Sequence, residues 1–138
     1  MTSTTEQLAG RRVLLVGLGD LGAEVARGLL AAGAEVTGVR RGSGAPDGVR
    51  LQRMDARDVA ALAALPAEFD AAVLCVTPSA GDEAGYCDSY LAVARAFAER
   101  WREGGVERAF WVSSSAVHGQ GDGVLIEDDA ETAPASFR

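Results

Sequence analysis

The stretch Arg11-Arg12-Val13-Leu14-Leu15-Val16-Gly17-Leu18-Gly19-Asp20-Leu21-Gly22 restricts the fold more than any other part of the 138-residue chain. A short run of branched apolar residues that stops at glycine is the pattern of a parallel strand buried on both faces. From Asp20 to Ala32 the apolar residues Leu21, Val25, Leu29 and Leu30 then recur at helical spacing, and Gly33 supplies the stop. The expected strand covers about residues 12–17, and the helix follows it directly.

The remaining sequence repeats this alternation. AEVTGVRR reads as a second strand and GSGAPDG as a turn; VRLQRMD makes a short third strand. ARDVAALAALPAEF predicts a helix that starts near Asp55 and is broken by Pro66, and DAAVLCVTP a fourth, wholly apolar strand. A long helix is expected over 82–103, with Tyr90, Leu91, Ala94, Phe97, Ala98 and Trp101 on one face, and ERAFWVSS is the fifth strand. Strands separated by helical segments imply right-handed crossovers. The expected fold is α/β, a Rossmann-type doubly wound parallel sheet of about five strands with helices on both faces. It occupies 12–118, after a polar leader over 1–11 and before a loop-like tail over 119–138.

Composition narrows the function. A net charge of −7 disfavours a nucleic-acid binder, which needs a basic excess to neutralise phosphates. The two cysteines, Cys75 and Cys87, do not make a zinc motif, so no metal site is expected. Nothing approaches the run of roughly 20 apolar residues that spans a bilayer, and no secretory signal opens the chain, so a cytoplasmic protein without a membrane partner is expected. All 13 basic residues are arginine. Without lysine, this chain cannot itself supply a phosphate-loop lysine or a tyrosine–lysine catalytic pair.

Gly17-Leu18-Gly19-Asp20-Leu21-Gly22 is a G-x-G-x-x-G pattern, placed where a strand ends and a helix opens, as a dinucleotide pyrophosphate requires. Gly17 would permit the tight turn, Gly19 the approach of phosphate to backbone, and Gly22 close packing of helix on strand. The first-turn amides of Asp20 and Leu21 would face the phosphates. An acidic residue about 20 positions past the glycines would bond a ribose 2′-hydroxyl. Here Arg40 and Arg41 stand instead, which favours NADP over NAD because a guanidinium pairs with a 2′-phosphate; the alternative is that both are solvated. Asp55, helped by the amide of Ala56, would either accept from an adenine amino group or cap the next helix.

VLLVGLGDLG, EVTGVRR, MDARD, FDAAVLCVTP and FWVSSSAVHGQ follow the order and spacing of the extended short-chain dehydrogenase/reductases. The chain resembles their NAD-dependent epimerase/dehydratase family over about residues 12–135, that is, its N-terminal portion. DEAGYCDSYL and GDGVLIEDDAETAP look most like a bacterial nucleoside-diphosphate-sugar epimerase branch. Two features depart from the family pattern. Val16 occupies the first glycine position of the usual G-x-x-G-x-x-G, and His118 replaces the tyrosine of the usual S-S-x-x-V-Y-G.

The resemblance implies hydride transfer at a carbinol or carbonyl carbon, with Ser114 as the hydroxyl that polarises the reacting group. The partner tyrosine of the family falls just past Arg138, and neither Tyr86 nor Tyr90 is followed by the required lysine. Three readings stay open: an N-terminal piece of a longer enzyme, an NADP-binding sensor or partner module without turnover, and an enzyme with His118 as substitute base. A small-molecule substrate belongs to the enzyme readings. A homo-oligomer is expected if the chain is complete, because ERAFWVSS would leave an apolar sheet edge.

Overall fold

The computed structural model describes residues 7–113. In chain order they form β1 (Arg12–Val16), α1 (Asp20–Ala31), β2 (Glu35–Arg40), β3 (Arg50–Arg53), α2 (Val59–Leu62), β4 (Ala71–Leu74), α3 (Glu83–Tyr86), a π-helical turn (Cys87–Leu91), α4 (Ala92–Trp101) and β5 (Ala109–Trp111). The five strands make one sheet in the order β3-β2-β1-β4-β5. All pairs are parallel, with Val13 opposite both Val36 and Ala71 and Val73 opposite Phe110.

β1 is the central strand, and its alternation divides the core. Leu14 and Val16 join Val39, Leu62, Leu74, Val93 and Trp101 on the α2/α4 side, whereas Leu15 joins Leu18, Ala26, Val36 and Cys75 beneath α1. Leu14 and Leu15 are both wholly buried, as expected of a strand covered on both faces. Gly33 ends α1 as the sequence predicts. At φ +85° it lets Ala34 N–H reach Leu29 O (3.0 Å) while its own N–H bonds Leu30 O (2.9 Å), which satisfies two carbonyls the helix leaves open.

Two expectations about helices are corrected. The helix expected from Asp55 begins at Val59, because Asp58 caps it by accepting from Ala60 N (2.9 Å) and Ala61 N (3.2 Å). It lasts one turn before Ala64 N–H and Leu65 N–H tighten to i−3 carbonyls. Arg100 donates to Leu62 O and Leu65 O at 3.1 and 3.2 Å, and Trp101 Nε1 donates to Ala67 O at 3.1 Å, so α4 closes the chain end of α2.

The long helix carries the π-helical turn, and the stripe expected on it is met only in part: Trp101 is buried and Phe97 packs against the core. Val93, Ala96 and Trp101 are buried, while Leu91 is 42 % exposed. One extra residue in a turn rotates everything after it by roughly 100°. Trp101, a member of the expected stripe, is a core residue.

Candidate functional site

A cleft of about 500 Å³ opens at the carboxyl ends of the strands. It lies where the chain leaves β1 toward β2 on one side and pairs β1 with β4 on the other, the switch point at which such sheets bind ligands. The structure brings Gly17, Gly19, Asp20, Leu21, Gly22, Arg40, Arg41, Asp55 and Ala56, all expected from sequence, into this one lining.

The glycine loop has three different positions. Gly17 has φ +94°, its N–H bonds Val39 O at 2.9 Å, and a Cβ there would stand 2.4 Å from Cys75 O. A Cβ on Gly22 would stand 2.0 Å from Gly17 O. Both glycines are needed by the protein's own packing. Over Gly19 there is nothing within 4 Å, so the one open position lies at the N-terminus of α1. No side chain caps that helix, and its first amides carry the partial positive charge of an unpaired helix end. An anion the size of a phosphate fits this cradle on chemical grounds.

Beyond β2 the lining is cationic. Arg40 Nη1 donates to Leu18 O (3.0 Å) and Gly44 O (2.6 Å), so that guanidinium braces the glycine loop against the β2–β3 turn. Arg41 is exposed, and no carboxylate stands within ion-pair distance of either arginine among the described residues. Asp55 is occupied by Arg57: Oδ1 accepts from the Arg57 amide (2.9 Å) and Nε (2.9 Å), and Oδ2 accepts from Nη2 (2.6 Å) and from Nε (3.1 Å). That side-chain bond is the main reason its carboxyl is held at about 2, below the usual carboxylate range. Asp55 thus closes a local turn and does not cap α2.

The lining residues not anticipated from sequence include Arg57, Asp88, Ser89 and Tyr90. Arg57 lies inside MDARD and could have been noticed there; the others reach the cleft through the π-helical turn, which no residue pattern announces. Arg57 Nη1 donates to Asp88 Oδ2 at 2.6 Å, and Ser89 Oγ accepts from Ser79 N–H at 2.9 Å. The Tyr90 ring lies 6.2 Å from Trp111. Val112 and Ser113, just past β5, also line the cleft; Ser114 and His118 lie outside the described residues. Among the described residues no group of three or more His, Cys, Asp or Glu side chains could hold a metal, and no helix is long and apolar enough to cross a membrane.

A parallel sheet ordered 3-2-1-4-5, a glycine turn after β1 and a cleft at the switch point define a nucleotide-binding α/β domain of the Rossmann class. The model of the NAD-dependent epimerase/dehydratase family matches residues 13–137, and the chain belongs to that family.

Among solved structures, a Methylobacillus flagellatus protein described as an NAD-dependent epimerase/dehydratase shares 32 % identity over 88 % of this chain and 44 % of its own (TM-score 0.70). MoeE5, solved with UDP-glucose and NAD, shares 27 % over 91 % of this chain and 43 % of its own (TM-score 0.68). A mutated uronate dehydrogenase at 21 % identity, covering 92 % of this chain and 48 % of its own, shares the fold (TM-score 0.76). The chain spans less than half the length of each. No match is found among curated protein sequences.

Proposed function

We propose that the chain is the dinucleotide-binding half of an oxidoreductase that moves hydride at a carbinol or carbonyl carbon, with NADP favoured over NAD. The observation that carries this is the glycine loop: Gly17 and Gly22 have no room for a side chain, and the space over Gly19 at the α1 N-terminus is open. The bound nicotinamide would supply the hydride acceptor. The residues supply the rest: amides of Asp20 and Leu21 hold phosphate, Asp55 and the Ala56 amide face the adenine, and Ser114 polarises the substrate oxygen. That MoeE5 was solved with NAD and UDP-glucose supports a dinucleotide here and a sugar nucleotide as the small-molecule class.

The choice of NADP rests on Arg40 and Arg41 at the end of β2. Arg40 spends Nη1 on carbonyls, so Arg41 is the freer partner for a 2′-phosphate. Titration of the chain with NADPH and NADH by nicotinamide fluorescence tests this reading. NADPH should bind tighter, and Arg41→Ala should weaken NADPH by about 10- to 100-fold with little effect on NADH, the value of one charge-assisted bond. Equal affinities would remove the NADP preference, and binding of neither would remove the cofactor reading.

A non-catalytic NADP-binding sensor or partner module is the second reading, favoured by the lack of lysine in the chain. Turnover that disappears in Ser114→Ala would exclude it. The setting proposed is cytoplasmic. If the 138 residues are the whole protein, a homo-oligomer follows from the sheet edge at β5, where Phe110 is 55 % and Trp111 38 % exposed.

A further inference from the structure

We propose that Asp20 keeps the dinucleotide of this cleft exchangeable: its carboxylate stands without a counter-charge in the first turn of α1, beside the place of the diphosphate, and lowers the affinity for NADPH and NADH alike. This rests on the dinucleotide reading above and adds to it how firmly the cofactor is held and which residue sets that. Asp20 is exposed, lines the cleft and is the acidic residue of the first helical turn. Among the described residues no hydrogen bond or ion pair engages its carboxylate. Two cations of the same lining are spent elsewhere: Arg57 holds Asp55 and Asp88, and Arg40 holds Leu18 O and Gly44 O.

Charge and distance give the effect. The open space for a phosphate lies over Gly19, and neighbouring α-carbons are about 3.8 Å apart, so the Asp20 carboxylate stands well inside the roughly 10 Å over which charges interact at 0.1 M salt. A helix N-terminus carries only about half a positive charge. In the empty protein that charge serves Asp20; when a diphosphate arrives, two anions share it. The net charge of −7 adds to the opposition and does not relieve it. NADPH and NADH have the diphosphate in common, so the penalty is the same for both. A loosely held dinucleotide suits net oxidation or reduction, in which the cofactor departs changed after each turnover and another reaction must restore it. An internal redox cycle, which ends with the cofactor as it began, has no use for release.

The experiment measures equilibrium binding of NADPH and NADH to the 138-residue chain at low salt and again at about 1 M salt, where charges are screened within about 3 Å. Asp20→Asn and Asp20→Ser should each bind both dinucleotides about three- to tenfold tighter than wild type at low salt, the value of one like charge at an exposed position. The gain should shrink to about twofold or less at the higher salt. Asp20→Glu, which keeps the charge, should stay within about twofold of wild type. Glu103→Gln, an exposed position just past α4, makes the same change in net charge and should not tighten binding. Without ligand, Asp20→Asn should melt no higher than wild type, because α1 loses its acidic first-turn residue; the tighter binding then has no origin in a firmer fold. Wild-type protein loaded with NADPH should lose it on gel filtration.

Unchanged or weaker binding in Asp20→Asn, an equal gain in Glu103→Gln, a gain confined to one dinucleotide, or NADPH that stays on the wild type through gel filtration would overturn the proposal. Binding of neither dinucleotide, by wild type or by Asp20→Asn, would instead overturn the cofactor reading, and this inference with it.

Discussion

Gly22→Ala should destabilise the protein although alanine is the better helix former. The added Cβ would stand 2.0 Å from Gly17 O and 3.0 Å from Gly17 C, against a closest ordinary approach above 3.0 Å. Either the turn or the first turn of α1 must therefore move by about 1 Å, a misfit of the kind that costs about 1–3 kcal/mol in a packed interior. Gly17 cannot yield easily, since its N–H is bonded to Val39 O and its own Cβ position is blocked by Cys75 O. Against this, replacing glycine by alanine in a helix gains about 0.8–1 kcal/mol.

Because both clashing atoms are backbone, the upper part of that cost, about 2–3 kcal/mol, applies, and the net expected loss is about 1–2 kcal/mol, or a melting temperature about 3–8 °C lower. Gly28→Ala, in the same helix, is the control. Its Cβ would meet nothing within 4 Å, so only the propensity gain of about 0.5–1 kcal/mol remains and melting should rise. Urea unfolding of the three proteins reads both signs in one assay. A Gly22→Ala protein as stable as wild type, beside a stabilised Gly28→Ala, would refute the steric argument.

Two further outcomes are expected. The Asp55 carboxyl is held at about 2, below its ordinary 3.8, chiefly by Arg57, so its stabilising contribution is complete above about pH 4 and is lost as pH falls toward 2. The stability gap between wild type and Asp55→Asn should therefore be flat from pH 7 to about 5 and close by about pH 2; a gap that widens on acidification would contradict the pairing. Cys75 is buried, which raises its thiol, and Cys87 is exposed. A thiol reagent should accordingly modify Cys87 promptly and Cys75 only on unfolding, as peptide mass analysis would read; fast labelling of both would contradict the core packing.

The sheet was legible because its signals are local. RRVLLVG, AEVTGVRR and DAAVLCVTP each carry a complete apolar run with a glycine, arginine or proline boundary, and β1, β2 and β4 lie within them. The glycine cradle and its neighbours Arg40, Arg41 and Asp55 were equally legible, since they follow strand ends at fixed offsets. The misreadings have specific causes. Asp55 and Asp58 are both cap-forming residues, and only the geometry shows that Arg57 occupies the first and leaves the second to start α2. The π-helical turn depends on backbone bonding that no residue type demands, so the burial of Val93 and Ala96, and the placement of Asp88 and Ser89 at the cleft, could not be read from spacing.

The turn at Gly17 has a kinetic consequence. It is held from three strands at once: β1 runs into it, Val39 O at the end of β2 accepts its N–H, and Cys75, just past β4, packs against its α-carbon. Such a loop takes its shape when the sheet forms, and no loop ordering is left for the moment a ligand arrives. Association at this cradle should then be a single step whose observed rate rises in proportion to ligand concentration, without the plateau that marks a rearrangement before or after encounter.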